Sequence, residues 1–284
     1  MNTYSGLFKL LRPKHWIKNL FVLAPLIFSG MMTEFPKIID CMIASVMFCL
    51  ASSATYVLND FIDIDRDRRH PVKSKTRPLA AGLVSQKFAL LLLAFLYVVL
   101  TFGYFINVEV FIIIVLYLLL NFAYTFVLKH MPVIDIFVIA VGFVLRVAAG
   151  TTAIQLPSSS WMLITSLCLA LYLAAIKRRQ EISNSGLEGR KVLETYSVSL
   201  MDRYALISAT GAMIYYSMYV MSVKPDLAVT VPFVVFGLFR YWYIVDVLDG
   251  GESPTDALTS DWQLLLTIFL WGSVSILVLW PSVG

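Results

Sequence analysis

Four polar residues at the end of an apolar stretch have the types and spacing of a metal-binding helix face. They recur at i, i+1, i+4 and i+8: Asn59, Asp60, Asp63 and Asp67. At about 100° per residue, this spacing places them within roughly 100° of the circumference of one helix, and Asp65 points the other way. Carboxylates crowded on one face repel one another, so the arrangement needs a cation. Mg²⁺ suits it, because it takes a few carboxylates and completes its octahedron with water and substrate phosphates; the same ligands accept Mn²⁺.

A simpler interpretation treats the same residues as a solvated acidic helix end paired with neighbouring arginines. Arg66, Arg68 and Arg69 follow directly in the sequence. Aligned acidic and amide side chains at a membrane boundary are costly without a purpose, which favours the metal site.

The composition predicts an all-α, polytopic membrane protein. Hydrophobic residues make up 59% of the 284, charged residues 14%, and the mean hydropathy is +0.80. Apolar stretches long enough to cross a hydrocarbon core of about 30 Å recur along the chain. We predict nine spans in a single domain covering 1–284: 16–33, 38–58, 87–106, 109–128, 132–152, 161–176, 204–223, 226–247 and 262–281. No alternating β pattern is present, so the spans should be helices.

The basic residues predict the orientation of these spans. Of 22 Lys and Arg, Lys37 and Lys224 fall on the predicted outer side and Arg146 and Arg240 lie within spans, leaving 18 at the inner side. This asymmetry places the N-terminus and the Asp motif in the cytoplasm, with the chain in the inner membrane of a prokaryote. A net charge of +4 suits contact with anionic membrane lipids, and basic loops that flank spans argue against nucleic-acid binding.

The N-D-x-x-D-x-x-x-D spacing resembles the first metal-binding motif of the UbiA superfamily of intramembrane prenyltransferases. Three further segments resemble its decaprenyl-phosphate phosphoribosyltransferase-like branch: Arg12–Asn19 (R-P-x-x-W-x-K-N), His70–Lys73 with Arg77–Gly82, and Gly142–Gly150 (G-F-x-x-R-x-x-A-G). The resemblance covers most of the chain. It implies a helical bundle with a central cavity open to the cytoplasmic side, and it is compatible with a homo-oligomer.

This resemblance also implies an activity, the Mg²⁺-dependent transfer of a 5-phosphoribosyl group from phosphoribosyl diphosphate (PRPP) to a polyprenyl phosphate lipid, with release of diphosphate. Asp60, Asp63 and Asp67 are the expected catalytic residues, and together with Asn59 they are the expected metal ligands. The other expected substrate-binding residues are Arg12, Lys14, Lys18, Lys73, Arg77, Tyr124, Lys129, Arg146, Lys177, Arg178 and Glu181, with Asn59 among them.

The chain departs from typical UbiA proteins at the end of its sixth span. Where those proteins carry a second acidic motif, this chain has Lys177, Arg178 and Arg179 with the single acid Glu181. Lys177, Arg178 and Glu181 share a helix face through i, i+3 and i+4 spacings. One acidic and one basic motif suit two phosphate groups, one bound through metal and the other by Lys and Arg.

Arg146 lies deep in the fifth span, which favours a functional placement of its charge. Asp135, eleven residues earlier on the same face, offers the structural alternative of an ion pair within the helix.

Two other functions account for parts of the sequence. An aromatic prenyltransferase, using a polyprenyl diphosphate donor and an acceptor such as 4-hydroxybenzoate, would use the first motif but should require a second acidic cluster. A transporter for an anionic lipid would explain nine spans and buried charge. It would not explain an acidic face of metal-binding type, and inverted repeats are not visible.

The helix-face geometry gives the first testable prediction. Asp60→Ala and Asp63→Ala should each abolish transfer while the protein still inserts and purifies, and EDTA should do the same to the wild type. Asp65→Ala should lower transfer only slightly, because the Asp65 side chain points away from the metal-binding face. The transfer of label from PRPP to lipid measures the activity of each variant and of the EDTA-treated wild type. An active Asp60→Ala enzyme would count heavily against the metal-binding helix face.

Overall fold

The computed structural model describes residues 3–69, 72–184, 191–248, 250 and 254–280, and within them it contains helices and no β-strand. The α-helices are, in chain order, α1 (Thr3–Leu10), α2 (Ala24–Ser29), α3 (Phe35–Ile62), α4 (Ile64–Arg69), α5 (Lys73–Thr76), α6 (Gln86–Thr101), α7 (Gly103–Ile106), α8 (Val108–Phe126), α9 (Ile134–Ala153), α10 (Ser160–Asn184), α11 (Val198–Val223), α12 (Val231–Asp246), α13 (Pro254–Ser260) and α14 (Trp262–Leu279). Four 3₁₀ segments separate some of them: Pro13–Leu23, Leu128–His130, Lys191–Thr195 and Pro225–Thr230.

Eight helical stretches in the described residues are long and apolar enough to cross a membrane, so the chain is a multi-pass membrane protein. They coincide with eight of the nine predicted spans. The remaining predicted span, 16–33, consists of the 3₁₀ segment Pro13–Leu23 followed by the six-residue α2, and neither reaches that length alone. A ninth crossing therefore stays a prediction.

The 3₁₀ segment Pro13–Leu23 is held inside the bundle by small polar side chains of α3. The Asn19 amide donates to the Ser52 hydroxyl at 3.2 Å, and the Trp16 indole donates to the Ser53 hydroxyl at 3.0 Å. Ser53 in turn donates to the Leu11 carbonyl at 2.9 Å. A 3₁₀ run of this length is uncommon, and these hydrogen bonds satisfy polar groups on the side of the segment that faces α3.

The described ends of α3, α8, α9 and α10 meet at one end of the bundle. α3 packs against α8 and α9, and α9 packs against both α8 and α10. Because these helices run in alternating directions, the C-terminal ends of α3, α8 and α10 come together with the N-terminal end of α9. The polar residues near those ends therefore share one region, although they are far apart in sequence.

Two arginines tie the later helices to one another. Arg179 on α10 pairs with Asp202 on α11 and with Asp246 at the end of α12. Arg240 on α12 pairs at 2.6 Å with Asp261, whose carboxylate also caps α14 through the Leu264 N–H at 2.8 Å. Arg179 thus has a structural role, holding α10 to α11 and α12.

A glycine contact between α9 and the 3₁₀ segment gives a prediction on stability. A Cβ added at Gly150 would lie 2.0 Å from the Val22 carbonyl oxygen. Gly150→Ala should therefore force α9 away from the segment and lower the free energy of unfolding by about 2 kcal/mol. The matched control is Gly272→Ala, since a Cβ there meets nothing within 4 Å. Denaturation in mixed micelles should show loss of stability for the first variant alone; equal behaviour of the two would contradict the close contact.

Candidate active site

Two buried carboxylates from the acidic motif share one arginine. Asp60, near the end of α3, and Asp67, on α4, are each 1% exposed. Nη1 of Arg77 lies 2.6 Å from Asp60 Oδ1 and 2.8 Å from Asp67 Oδ2. Nη2 of Arg12 reaches the same Asp60 oxygen at 2.5 Å, with its guanidinium 4.9 Å from the centre of the Tyr56 ring. The two arginines supply the positive charge that buried carboxylates require.

The acidic motif bends at its middle. α3 ends at Ile62, and Asp63 (φ −90°, ψ 8°) joins it to α4. The i→i+4 bonds continue through the joint, because Asp63 donates to the Asn59 carbonyl and Asp67 to the Asp63 carbonyl. Asp60 and Asp67 therefore stay on one side, as the spacing predicts. The Asp65 side chain is 90% exposed, which confirms that it points away.

The other two members of the motif have partners from other segments. Asp63 accepts from Arg66 at 2.7 Å and lies 3.6 Å from the Lys129 ammonium. Asn59 accepts a hydrogen bond from the Thr125 hydroxyl on α8 at 2.5 Å. Lys129 and Asn59 thus lie in the same region as the carboxylates.

Unused lone pairs show that the carboxylates fit a divalent cation. Asp60 Oδ2 and Asp67 Oδ1 are buried and have no hydrogen-bond partner among the described residues. Buried carboxylate oxygens without a partner are costly, and oxygen is the ligand that Mg²⁺ prefers. No three His, Cys, Asp or Glu side chains of the described chain form a ready-made metal cage. Mg²⁺ commonly takes one or two carboxylates and fills its other positions with water and phosphate oxygens, so two carboxylates suffice.

Arg178 is the centre of a second buried charge cluster. Its Nε donates to Asp135 at 2.7 Å, Nη1 to Glu181 at 2.5 Å and Nη2 to the Tyr124 hydroxyl at 3.0 Å. The Tyr196 hydroxyl donates to the other Asp135 oxygen at 2.6 Å. Burial and the hydrogen bond to Asp135 raise the pKa of Tyr196, so it stays a neutral donor. These contacts fix Arg178, Glu181 and Tyr124 in place.

The neighbouring Lys177 lies at the edge of this cluster. Its side chain is 40% exposed and its ammonium is 3.8 Å from Glu181. The predicted common face of Lys177, Arg178 and Glu181 is confirmed by their mutual contacts. Because the N–H groups of Arg178 already have protein partners, Lys177 is the better placed of the two cations to meet a ligand.

Arg146 is a buried cation with uncharged partners. It donates to the Asn19 side chain at 2.8 Å, to the Gly142 carbonyl at 2.8 Å and to the Tyr117 hydroxyl at 3.1 Å. The suggested pairing with Asp135 is wrong. Eleven residues of helix separate the two by about 16 Å, and Asp135 pairs with Arg178 instead. Contact between Arg146 and substrate stays a prediction.

The comparisons with known proteins agree with this architecture. The model of the UbiA prenyltransferase family matches residues 22–255. The chain belongs to the UbiA prenyltransferase family. Relatives of this UbiA protein include a decaprenyl-phosphate phosphoribosyltransferase from Mycolicibacterium smegmatis, 35% identical over 95% of this chain and 91% of that protein. Another decaprenyl-phosphate phosphoribosyltransferase, from Mycobacterium tuberculosis, is 32% identical over 95% of this chain and 93% of that protein.

Solved structures share the fold of this UbiA protein. A UbiA homolog from Archaeoglobus fulgidus bound to DMAPP and Mg²⁺ superposes with a TM-score of 0.75 at 19% identity, covering 98% of this chain and all of that one. The same homolog bound to GPP and Mg²⁺ superposes with a TM-score of 0.74, covering 96% of this chain and 99% of that one. At such identity the likeness establishes the fold alone.

The remaining predicted ligands of this UbiA protein lie around the two clusters to different degrees. Lys18 lies near Arg12 and Arg146 on the 3₁₀ segment, and it forms no ion pair within the described residues. Lys73 is half-buried on α5, and Lys14 is exposed. His70 and Pro71, part of the family-like segment, lie outside the described residues, as do Glu252 and Ser253.

Sequence reasoning missed several residues of this region. Thr125, which holds Asn59, follows Tyr124 directly, so its place at the end of the fourth span was a usable signal. Asn19 is the last residue of the R-P-x-x-W-x-K-N segment. His15 of the same segment packs against Tyr56, with 5.3 Å between the ring centres. Burial, with the positive charges of Lys18 and Arg12 nearby, lowers the pKa of His15 to about 4, so the imidazole is neutral at pH 7.

The Arg178 cluster gives a prediction on the stability of the protein. Asp135→Ala removes a fully buried partner and leaves Arg178 undercompensated, so it should cost about 3 kcal/mol of unfolding free energy and displace Tyr196. Asp202→Ala, which removes a half-exposed partner of Arg179, should cost less than about 1 kcal/mol. Denaturation in mixed micelles compares the two. If Asp135→Ala were as stable as Asp202→Ala, the cluster would not be a structural centre.

Proposed function

We propose that this protein transfers a 5-phosphoribosyl group from PRPP to a polyprenyl phosphate, with release of diphosphate. The observation that carries the proposal is the presence of two unlike clusters at one end of the bundle. Asp60 and Asp67 each keep an unpartnered buried oxygen, whereas α10 presents Lys177 beside the fixed Arg178. Relatives that carry the name decaprenyl-phosphate phosphoribosyltransferase match 95% of the chain and support the same reaction.

The acidic cluster would hold the diphosphate of PRPP through a divalent cation. Asp60 and Asp67 would be direct ligands, and Asp63 and Asn59 would complete the site through water. Bound there, Mg²⁺ would neutralise the leaving diphosphate. Arg12 and Arg77 lie beside the same carboxylates and would bind the remaining phosphate oxygens. Mg²⁺ is the preferred ion in this proposal, with Mn²⁺ as a substitute.

The basic cluster would hold the phosphate of the lipid acceptor. Lys177 is exposed enough to reach a ligand, and Glu181 holds its ammonium in position. Lys18, near Arg12 and Arg146, would add positive charge from the other side. The acceptor is a phosphate monoester whose second pKa is near 6, so it is largely a dianion at pH 7. One of its oxygens would bond to ribose C1 while the bond from C1 to diphosphate breaks and diphosphate leaves with the electron pair.

This reaction needs no general base on the protein. The acceptor oxygen already carries the negative charge, and C1 passes through an oxocarbenium-like state as in other glycosyl transfers. The task of the side chains is to neutralise the leaving group and to orient two anions that repel one another. Neutral His15 fits this scheme, because it adds no charge to the crowded basic side.

The topology completes the proposal. The whole chain would act as one membrane domain in the cytoplasmic membrane, with this end of the bundle facing the cytoplasm. That orientation gives a water-soluble donor access from one side, while a lipid acceptor enters from the bilayer. Assembly into a homo-oligomer stays a prediction.

Membranes incubated with labelled PRPP, polyprenyl phosphate and Mg²⁺ test the reaction directly. We expect consumption of PRPP only when the lipid phosphate is present, with the label recovered in the lipid phase. A polyprenyl diphosphate with 4-hydroxybenzoate should give no product. A prenylated aromatic product from that second assay would favour an aromatic prenyltransferase instead.

Lys177 tests the assignment of the acceptor phosphate. Lys177→Ala should raise the Michaelis constant for one phosphorylated substrate, or lower turnover, by at least tenfold, equivalent to about 1.4 kcal/mol. Lys177→Asp should be worse, because it places a negative charge beside phosphate. The control is Lys75→Ala, at an exposed lysine of α5, which should change the Michaelis constant and the turnover little. Near-wild-type kinetics of Lys177→Asp would reduce Lys177 to a topology anchor.

A further inference from the structure

We propose that Arg77 is a place-holder cation, which neutralises Asp60 and Asp67 in place of the metal and moves to the donor's phosphates when the metal binds. The inference extends the proposed function and rests on its metal site. It goes further by assigning one residue opposite effects on the two ligands: Arg77 should weaken metal binding and strengthen PRPP binding.

Arg77 contacts the two carboxylates through a single nitrogen. Arg77 Nη1 bridges one oxygen of Asp60 and one of Asp67, at 2.6 and 2.8 Å. A divalent cation that took these two oxygens as ligands would compete with the guanidinium for them. One that took the unpartnered oxygens, Oδ2 of Asp60 and Oδ1 of Asp67, would still lie on the same two carboxylates, beside the guanidinium.

The charges around the two carboxylates also favour movement of an arginine when the metal binds. Two buried carboxylates in the same region repel each other and need a counter-ion in every state of the protein. Arg77, with Arg12 on the same Asp60 oxygen, supplies it here. Entry of a doubly charged cation beside two guanidinium groups would be opposed by like-charge repulsion, so at least one arginine must leave.

Arg77 combines a fixed backbone with a side chain that can move. Its backbone is fixed on a compact turn: the Ala81 N–H donates to the Arg77 carbonyl at 2.9 Å, and Leu83 donates to Pro78 at 2.9 Å. Leu79 of the same turn is buried in the core. The side chain itself is 23% exposed and has several rotatable bonds. Arg77 can therefore swing while its anchor stays in place.

These features of Arg77 together predict coupling between the binding of metal and the binding of PRPP. Metal alone must displace Arg77 without giving it a new partner, which is unfavourable. Metal with diphosphate provides that partner, because Arg binds phosphate oxygens well in a bidentate fashion. Each ligand should thus raise the affinity of the other, by the same factor in both directions. The site would reject free metal and accept the metal-bound donor.

The test compares Arg77→Gln with wild type in two binding assays on the purified full-length protein. The first follows Mn²⁺ alone, from the loss of the electron paramagnetic resonance signal of the free ion, after treatment with EDTA and its removal. Arg77→Gln should bind Mn²⁺ at least tenfold more tightly, equivalent to about 1.4 kcal/mol. The second follows labelled PRPP at saturating Mg²⁺, where the same variant should bind at least tenfold more weakly.

Two variants control for charge and folding. Arg68→Gln removes the same charge on the exposed side of α4, where, within the described residues, Arg68 pairs with the exposed Asp65 at 3.7 Å, and it should leave both affinities unchanged. Arg77→Lys keeps the charge but loses the planar guanidinium, so it should bind Mn²⁺ about as weakly as wild type and still bind PRPP less well. If Arg77→Gln does not fold, the lysine variant carries the test through its selective loss of PRPP affinity.

The outcomes separate this inference from the proposed function. Weaker or unchanged Mn²⁺ binding by Arg77→Gln would overturn the place-holder, since a merely structural arginine supports both ligands. Equal losses of both affinities in Arg77→Lys would do the same. Failure of wild type to bind PRPP, with tighter Mn²⁺ binding by Arg77→Gln, would overturn the proposed donor and leave the place-holder standing. Absence of Mn²⁺ binding in every variant would overturn the metal site and the place-holder with it.

Discussion

The burial of two carboxylates at the end of one membrane helix is the constraint on which the rest of the site depends. Removing Asp60 and Asp67 from water costs several kcal/mol for each ion unless cations compensate them. The compensation comes from two remote parts of the chain, Arg12 at the start of the 3₁₀ segment and Arg77 after α5. Pairing therefore draws the N-terminal segment and the α5–α6 connection onto α3. The fold of these segments and the chemistry of the site have the same electrostatic cause.

A second buried charge, on Arg178, organises the opposite side. Asp135, Glu181 and Tyr124 accept one hydrogen bond from each of its three nitrogens, and Tyr196 links the segment after α10 to the same centre. The two clusters differ in what they leave for a ligand: the first keeps carboxylate oxygens without partners, and the second presents an ammonium at its edge. In the proposed reaction, that asymmetry would distinguish two phosphate groups, one bound through metal and the other bound by cations directly.

Much of this could be predicted from the sequence, because apolar length and charge spacing are local properties. Eight of the nine predicted spans are helices of membrane-crossing length, and Asp65 points away from the acidic face as its position at 100° per residue requires. The partners of buried charges could not be predicted in the same way. Asp135 and Arg146 share a face of α9, yet each pairs with a residue of another segment, Arg178 and Asn19 respectively. Such pairing depends on how helices pack, and spacing within one helix does not contain that information. The 3₁₀ conformation of Pro13–Leu23 likewise arises from tertiary hydrogen bonds to α3.

The most direct measurement of the central claim is a structure of this protein with Mn²⁺ and PRPP, with the metal located by its anomalous scattering. The account predicts a peak bonded to oxygens of Asp60 and Asp67, diphosphate on the same ion, and the Arg77 guanidinium moved from the carboxylates to the phosphate oxygens. A peak remote from these carboxylates, or Arg77 still bridging them beside bound PRPP, would contradict it.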